Sequence, residues 1–182
     1  IYVINYCDGA NSDLDDKLQD FGLNQPDKLN YYDGFSASMG IEDIYRRFET
    51  KTSGEPDDWL IISNLALACD LQSGSVYGSH RENANRFERL LSEGPSKGVF
   101  IIAWCDDPAL FRAKFNNTFE YFGKRVVFNM SEEDALAMAD IVKDDSINKN
   151  NAYLYQSGKG KEKFRPYSTP MDKWINRLCT ER

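Results

Sequence analysis

The sequence predicts an α/β domain built on a mostly parallel sheet, and two observations carry that expectation. Short apolar runs alternate with segments whose apolar residues recur at helical spacing, the pattern of repeated strand–helix–strand units. Two of the runs, Trp59–Leu65 and Gly98–Cys105, are continuously apolar rather than alternating, as strands covered on both faces are. The length of 182 residues suits one domain with a real core. With 41% hydrophobic and 28% charged residues, the composition excludes a disordered or collagen-like chain. No apolar run approaches the roughly 18–20 residues of a membrane span. No basic segment followed by an apolar one opens the chain, so a secretory signal is not expected. Ile1 already lies inside an apolar run, which leads us to expect a piece of a longer protein.

The elements follow in order. Ile1–Tyr6 reads as a strand ending in the turn Cys7-Asp8-Gly9. Ser12 is placed to cap a helix carrying Leu14, Leu18 and Phe21, with Gly22 as its stop. A short run at Leu29–Tyr32 reads as a strand. Ile41, Ile44, Tyr45 and Phe48 stand at i, i+3, i+4 and i+7, one buried stripe of a second helix. Residues 50–58 form a polar loop before the strand Trp59–Leu65. A helix with Ala84, Phe87, Leu90 and Leu91 on one side leads to the strand Gly98–Cys105. Asp106 or Asp107 then caps a helix with Pro108 in its first turn and Phe111, Phe115 and Phe119 at spacings of four. A strand Arg125–Met130 precedes Ser131-Glu132-Glu133-Asp134, which resembles a capping box and opens a helix through Val142. Ala152–Tyr155 is the last strand, Gly158–Gly160 a turn, and Thr169-Pro170 starts a final helix on Met171, Trp174, Ile175 and Leu178.

Charge and cysteine use narrow the function classes. The formal charge is −7, and it is uneven: residues 1–58 carry 13 acids against 5 bases, whereas residues 157–182 come to +4. Bulk electrostatics therefore argue against a free-standing nucleic-acid binder, although the basic tail suits phosphate or an acidic face of a neighbouring subunit. Cys7, Cys69, Cys105 and Cys179 are widely spaced with no C-x-x-C pair, so buried thiols in a reducing, cytoplasmic setting are expected rather than a zinc site. The lone histidine, His80, reads as a solvated loop residue.

Several nucleotide and hydrolase motifs are absent. There is no G-x-x-x-x-G-K-[ST], no G-x-G-x-x-G and no G-x-S-x-G; Gly158-Lys159-Gly160-Lys161 has the wrong spacing and reads as a hairpin turn. Asp8, Asp13, Asp15 and Asp16 cluster after the first strand, where open α/β sheets bind ligands. Stabilisation of a helix start by acids accounts for them more simply than Mg²⁺ binding does. Asp33 to Ser38 departs by one position from a D-x-S-x-S metal motif and is set aside. The strand Trp59–Leu65 carries the most informative defect. In ATPases of this layout it ends in the Walker B acid that holds Mg²⁺ through water, and here it ends in Ser63-Asn64, with no charge.

The order of elements and the wording of the C-terminal half resemble the motor domain of FtsK/SpoIIIE-like P-loop ATPases. The carrying residues are 59–65, Arg86–Glu93 leading into 97–104, 124–134, 151–155 and 163–167. In that family these correspond to the Walker B strand, a sensor strand, a strand and helix beginning with arginine, and a closing hairpin. The resemblance implies a RecA-like three-layer sandwich, incomplete because the phosphate loop and its helix precede the strand that Ile1–Tyr6 matches. It implies ATP and Mg²⁺ as ligands of the parent protein, DNA or polypeptide as the translocated substrate, and a homo-oligomeric ring with nucleotide at subunit interfaces. Ser63 and Asn64 fall at the degenerate Walker B position. Asp106 falls at the sensor position, where capping is the competing role and the one expected. Arg125 and Arg165 match basic positions that reach a neighbour's nucleotide or phosphate, with structural pairing to nearby acids as the alternative. A non-hydrolysing module that assembles with partner subunits is the second reading, favoured by the missing acid. A domain lacking its central first strand exposes a sheet edge and apolar surface.

Overall fold

Residues 1–121 fold around strands whose apolar side chains are fully buried on one face of the sheet, while Trp59 and Ile102 on the other stay part-exposed. The computed structural model describes residues 1–7, 13–72, 78–115, 118–141 and 151–166, with the side chains of 13–15 set aside. The first of two compact units spans Ile1–Tyr121. It contains β1 (Tyr2–Asn5), α1 (Asp13–Asn24), β2 (Asn30–Tyr32), α2 (Ala37–Thr50), β3 (Asp58–Ser63), α3 (Gly78–Glu93), β4 (Val99–Ala103) and α4 (Pro108–Phe115). The four strands form one all-parallel sheet in the order β2-β1-β3-β4. The α/β class with a parallel sheet is thus as the sequence predicts.

Register sorts the strand residues onto two faces. Ile4, Leu60, Ile62 and Val99 share one face, where all four are fully buried. Helix α2 lies on this face, its Gly40 against the Tyr32 ring and Ile4, and contributes Ile41, Ile44 and Phe48. Helix α3 adds Phe87, Leu90 and Leu91, the inward stripe its spacing predicts. Val3 and Tyr31 share the opposite face, over which α1 packs. Gly22 does not stop α1, which runs two residues further. It sits where a Cβ would stand 3.0 Å from the Leu29 side chain, so its role is close approach of helix to strand.

Other boundaries shift for local reasons. Asp107 is the residue that caps α4, accepting from the Leu110 amide at 2.8 Å. The helix ends at Phe115, and Phe119 reaches the Phe111 ring (6.0 Å between centroids) from a following 3-10 turn, not from the helix. His80 lies half-buried in the first turn of α3, not in a loop. Cys7 and Cys105 are half-buried and Cys69 is exposed, so the described thiols are not core residues. Ser12, Val142, Cys179 and the helix expected after Thr169 lie outside the described residues.

The second unit begins at Phe122. Strands β5 (Lys124–Val127), β6 (Ala152–Gln156) and β7 (Gly160–Phe164) pair antiparallel in that order, and α5 (Glu132–Ala139) supplies the cover. Ser131 caps α5 by accepting from the Asp134 amide at 3.1 Å, as its capping-box spacing predicts. Asp140 in the left-handed region (φ 53°) ends it. Val127, Ala135, Ala139, Ile141 and Tyr153 form the core of this unit. The run Arg125–Met130 joins an antiparallel sheet because it alternates: Val127 is buried while Val126 and Phe128 are exposed. Gly158–Gly160 forms the turn between β6 and β7, as expected.

An ion-pair network closes the amino-terminal end of the parallel sheet. The Lys51 ammonium, with its side chain only 2% exposed, donates to Asp58 at 2.6 Å and to the Pro56 carbonyl, while Arg47 donates to Asp58 at 3.1 Å. Removing one partner of a buried pair strands the other, so Asp58→Ala should cost about 3–5 kcal/mol in urea unfolding. Nearby, Glu55 accepts from the Thr52 hydroxyl and amide and pairs with Arg47, in that order of effect, which holds its pKa at about 2 against an ordinary 4.5. A carboxyl depressed in the folded state contributes stability above its unfolded value and loses it as pH falls through the folded one. Stability should therefore drop between pH 4.5 and about 2, and Glu55→Gln should flatten that window in acid titrations followed by circular dichroism.

Candidate functional site at the carboxyl ends of the parallel strands

An all-parallel sheet brings the carboxyl ends of its strands to one side, and ligands of open α/β sheets bind there, where the strand order reverses. In this sheet the reversal falls between β1 and β3. The Tyr6 amide donates to the Ser63 carbonyl at 3.3 Å, closing the two strand ends together. Asn5 is 8% exposed; its carboxamide accepts from the Cys7 amide at 2.9 Å and donates to the Tyr31 hydroxyl at 3.2 Å. Asp8, which follows in the chain, lies outside the described residues.

Ser63 and Asn64 meet different fates. Ser63 is the last residue of β3 and is buried at 4% exposure. Asn64 adopts the left-handed region (φ 50°) and starts the 3-10 turn Leu65–Leu67, whose Leu67 amide donates to the Asn64 carbonyl at 2.9 Å. Asparagine tolerates this backbone better than most side chains because its short amide bonds locally. Here the amide Nδ2 donates to Asp106 Oδ2 at 3.2 Å. Asp106 follows β4, so the two candidates from the ends of neighbouring strands are brought together. Asp106 is exposed and bound by Asn64, and the capping role expected for it belongs to Asp107 instead.

The two arginines separate. Arg125 donates from Nε to the Phe122 carbonyl at 2.9 Å and from Nη1 to the Met138 carbonyl at 3.2 Å, and stacks on Tyr155 with 5.1 Å to the ring centroid. It ties β5 to α5 within the second unit. Arg165, just past β7, is exposed.

One polar cluster has no signature in the sequence motifs. Asp70, 8% exposed, accepts from the Tyr6 hydroxyl at 2.9 Å, and at 3.4 Å from both the Ser38 hydroxyl and the Asn83 amide. The Asn83 amide also donates to Ser38 at 2.9 Å, and Arg86 donates to the Asn83 carbonyl oxygen at 3.4 Å. Burial, and then the Asp70 carboxylate, push the Tyr6 phenol far above its ordinary range. The cluster pins the end of β1 to α2, α3 and the segment after β3. Its only trace in the sequence is Asn83, four residues before Phe87 on the inward stripe of α3.

Among the described residues no group of three histidine, cysteine or acidic side chains is placed to hold a metal ion, and no helix is long and apolar enough to cross a membrane. No family model matches the chain, and no curated protein matches it. Backbone geometry at Asn64 gives a direct check on the rim. Asn64→Gly should leave the unfolding free energy within about 1 kcal/mol, whereas Asn64→Val, a branched residue forced to positive φ, should lose about 1–3 kcal/mol.

Proposed function

We propose that this chain is part of an ATP-binding motor domain of the FtsK/SpoIIIE-like P-loop type, in a RecA-like sandwich whose phosphate loop lies outside these residues. The observation that carries the reading is the pairing of Asn64 with Asp106 at the adjoining ends of β3 and β4. In such a site a carboxylate must face the Mg²⁺-nucleotide beside the central strands. The end of β3 carries none, and Asp106 supplies one from the next strand. The parent protein couples ATP to movement of DNA or polypeptide as a homo-oligomer. Arg165, exposed after β7, suits contact with a neighbour's phosphate, whereas Arg125 is committed within its own unit.

A second reading is favoured by a specific observation. Ser63 is buried and Asn64 is neutral, so the strand end that should hold the cation offers no charge. A module of this kind binds partner subunits without hydrolysing ATP.

Calorimetric titration with Mg-ATP separates the readings. The motor reading expects binding by the chain extended with its upstream coding sequence and not by residues 1–182 alone. It further expects at least ten-fold weaker binding after Asp106→Asn. No binding by the extended protein removes the nucleotide reading; binding without turnover, unaffected by Asp106→Asn, leaves the assembly module.

A further inference from the structure

Strand β7 is the outermost strand of the antiparallel sheet in the second unit, and all five of its residues are exposed. Among the described residues no strand pairs beyond it. Backbone alternation decides which of its groups the open edge presents. The Ser157 amide donates to the Gly123 carbonyl at 2.8 Å, toward the side of β5. Tyr155 and Tyr153 therefore turn their backbone groups to β5, and Gln156, Leu154 and Ala152 turn theirs to β7. Their partners Gly160, Glu162 and Phe164 face back to β6. The amides and carbonyls of Lys161 and Lys163, the residues between, are left to the open edge.

The same two residues set the charge of that edge. Lys161 lies in register with Tyr155 and Arg125, and Lys163 with Tyr153 and Val127, so both lysines share one side of the sheet. The Lys163 ammonium stands 5.7 Å from the Tyr153 ring centroid, and Arg125 stacks on Tyr155 in the neighbouring row. Glu162 and Phe164 occupy the other side. Directly opposite residues of an antiparallel pair bring their Cβ atoms within about 4.5–5.5 Å, where like charges repel and opposite charges attract. Edge lysines therefore select what pairs with the strand as well as discourage pairing. A second copy of β7 is refused. Outward-facing residues pair only with outward-facing residues, so every antiparallel register of two such strands sets base against base. A strand with acids at alternate positions is admitted.

We propose that the open edge of β7 takes an extended acidic peptide as a fourth, antiparallel strand, with acids two residues apart opposite Lys161 and Lys163. In such additions backbone pairing supplies affinity and alternate side chains supply selectivity. The residue between the acids falls beside Glu162 and suits a base. The residue that precedes them falls beside Phe164 and suits an apolar side chain, which gives the order apolar, acid, base, acid along the incoming chain. This chain does not offer such a segment to another copy. Its acids two apart are Asp13 with Asp15 in α1, Glu132 with Asp134 in α5, and Glu55 with Asp57. Glu55 is already held by Thr52 and Arg47. The partner is thus a separate acidic chain, and the proposal uses the second unit alone, independent of any nucleotide site.

Amide exchange during titration of residues 1–182 with the capped peptide Ser-Val-Glu-Lys-Glu-Val-Ser tests it. At saturation the Lys161 and Lys163 amides should exchange at least ten-fold more slowly, while the Glu162 amide, already bonded to β6, should not change. Lys161→Glu combined with Lys163→Glu should weaken binding at least ten-fold and leave the unfolding midpoint unchanged. The same double variant should bind Ser-Val-Lys-Glu-Lys-Val-Ser, which the native chain refuses; this exchange of partners separates a lost contact from a lost fold. No binding of the first peptide overturns the proposal. So does equal affinity for that peptide N-methylated at both glutamates, or with its glutamates made adjacent, since charge alone would then suffice. A single-stranded oligonucleotide that binds through Lys161 and Lys163 where the peptide does not overturns it in favour of nucleic acid. Slow exchange of both amides before any peptide is added overturns it as well: the chain itself then covers the edge, or a second copy does where protection rises with protein concentration.

Discussion

Everything positioned in the first unit depends on β1, β2, β3 and β4 running parallel. Parallel neighbours cannot be joined by a tight turn, so each connection must travel the length of the sheet over one of its faces. Those crossings deliver α2 and α3 to one face and α1 to the other, and they gather every carboxyl end at one rim. The two ends of the sheet then take different chemistry. At the amino end, Lys51, Arg47 and Asp58 neutralise one another in a partly buried cluster whose worth lies in what its disruption would strand. At the carboxyl end, neutral amides and hydroxyls hold the strand ends together and leave Asp106 facing solvent.

Much of this was legible in the sequence because burial writes itself into periodicity. Ile41, Ile44 and Phe48, and then Phe87, Leu90 and Leu91, declare their helices since only one face of each meets the sheet. The apolar runs of β3 and β4 read rightly as parallel strands, although their second face, with Trp59 and Ile102, is not covered as such runs imply. Punctuation was less reliable. Gly22 has the look of a helix stop, but a missing side chain serves equally well where helix and strand come close, and only the position of Leu29 distinguishes the two uses. Arg125–Met130 alternates as an antiparallel strand with one solvated face does, but its own side chains do not name β6 as the partner, which is a long-range choice.

The rim was partly legible. Ser63, Asn64 and Asp106 were singled out by comparison with the strand ends of ATPases of this layout, whereas the rule that open α/β sheets place ligands at strand ends pointed to Asp8 and its neighbours. The pairing of Asn64 with Asp106 required the left-handed turn at Asn64, which swings its amide toward the next strand. The Asp70 cluster left only one trace, Asn83 on the inward stripe of α3. Tyr6, Ser38, Asp70 and Asn83 come from four separate segments, and nothing in the sequence says that they meet. Their burial makes the cluster costly to leave incomplete, which suits a role in fixing where β1 ends relative to α2 and α3.

The contrast between Asp70 and Asp106 bears on chemistry. Asp70 is buried among neutral donors, with Tyr6 on one carboxylate oxygen and Ser38 and Asn83 on the other, so its carboxylate serves the fold. Among the described residues Asp106 accepts from the Asn64 amide at 3.2 Å, and it is exposed at the side where strand ends converge. A carboxylate acts on a ligand only if it keeps acceptor capacity and if the site excludes enough water to strengthen its field. Asp106 meets the first condition. The second depends on cover over the neighbouring β4, where Trp104 and Ile102 still face water. Cover over that apolar face would also lower the dielectric around Asp106, so the packing of the sheet and the field at its rim are coupled.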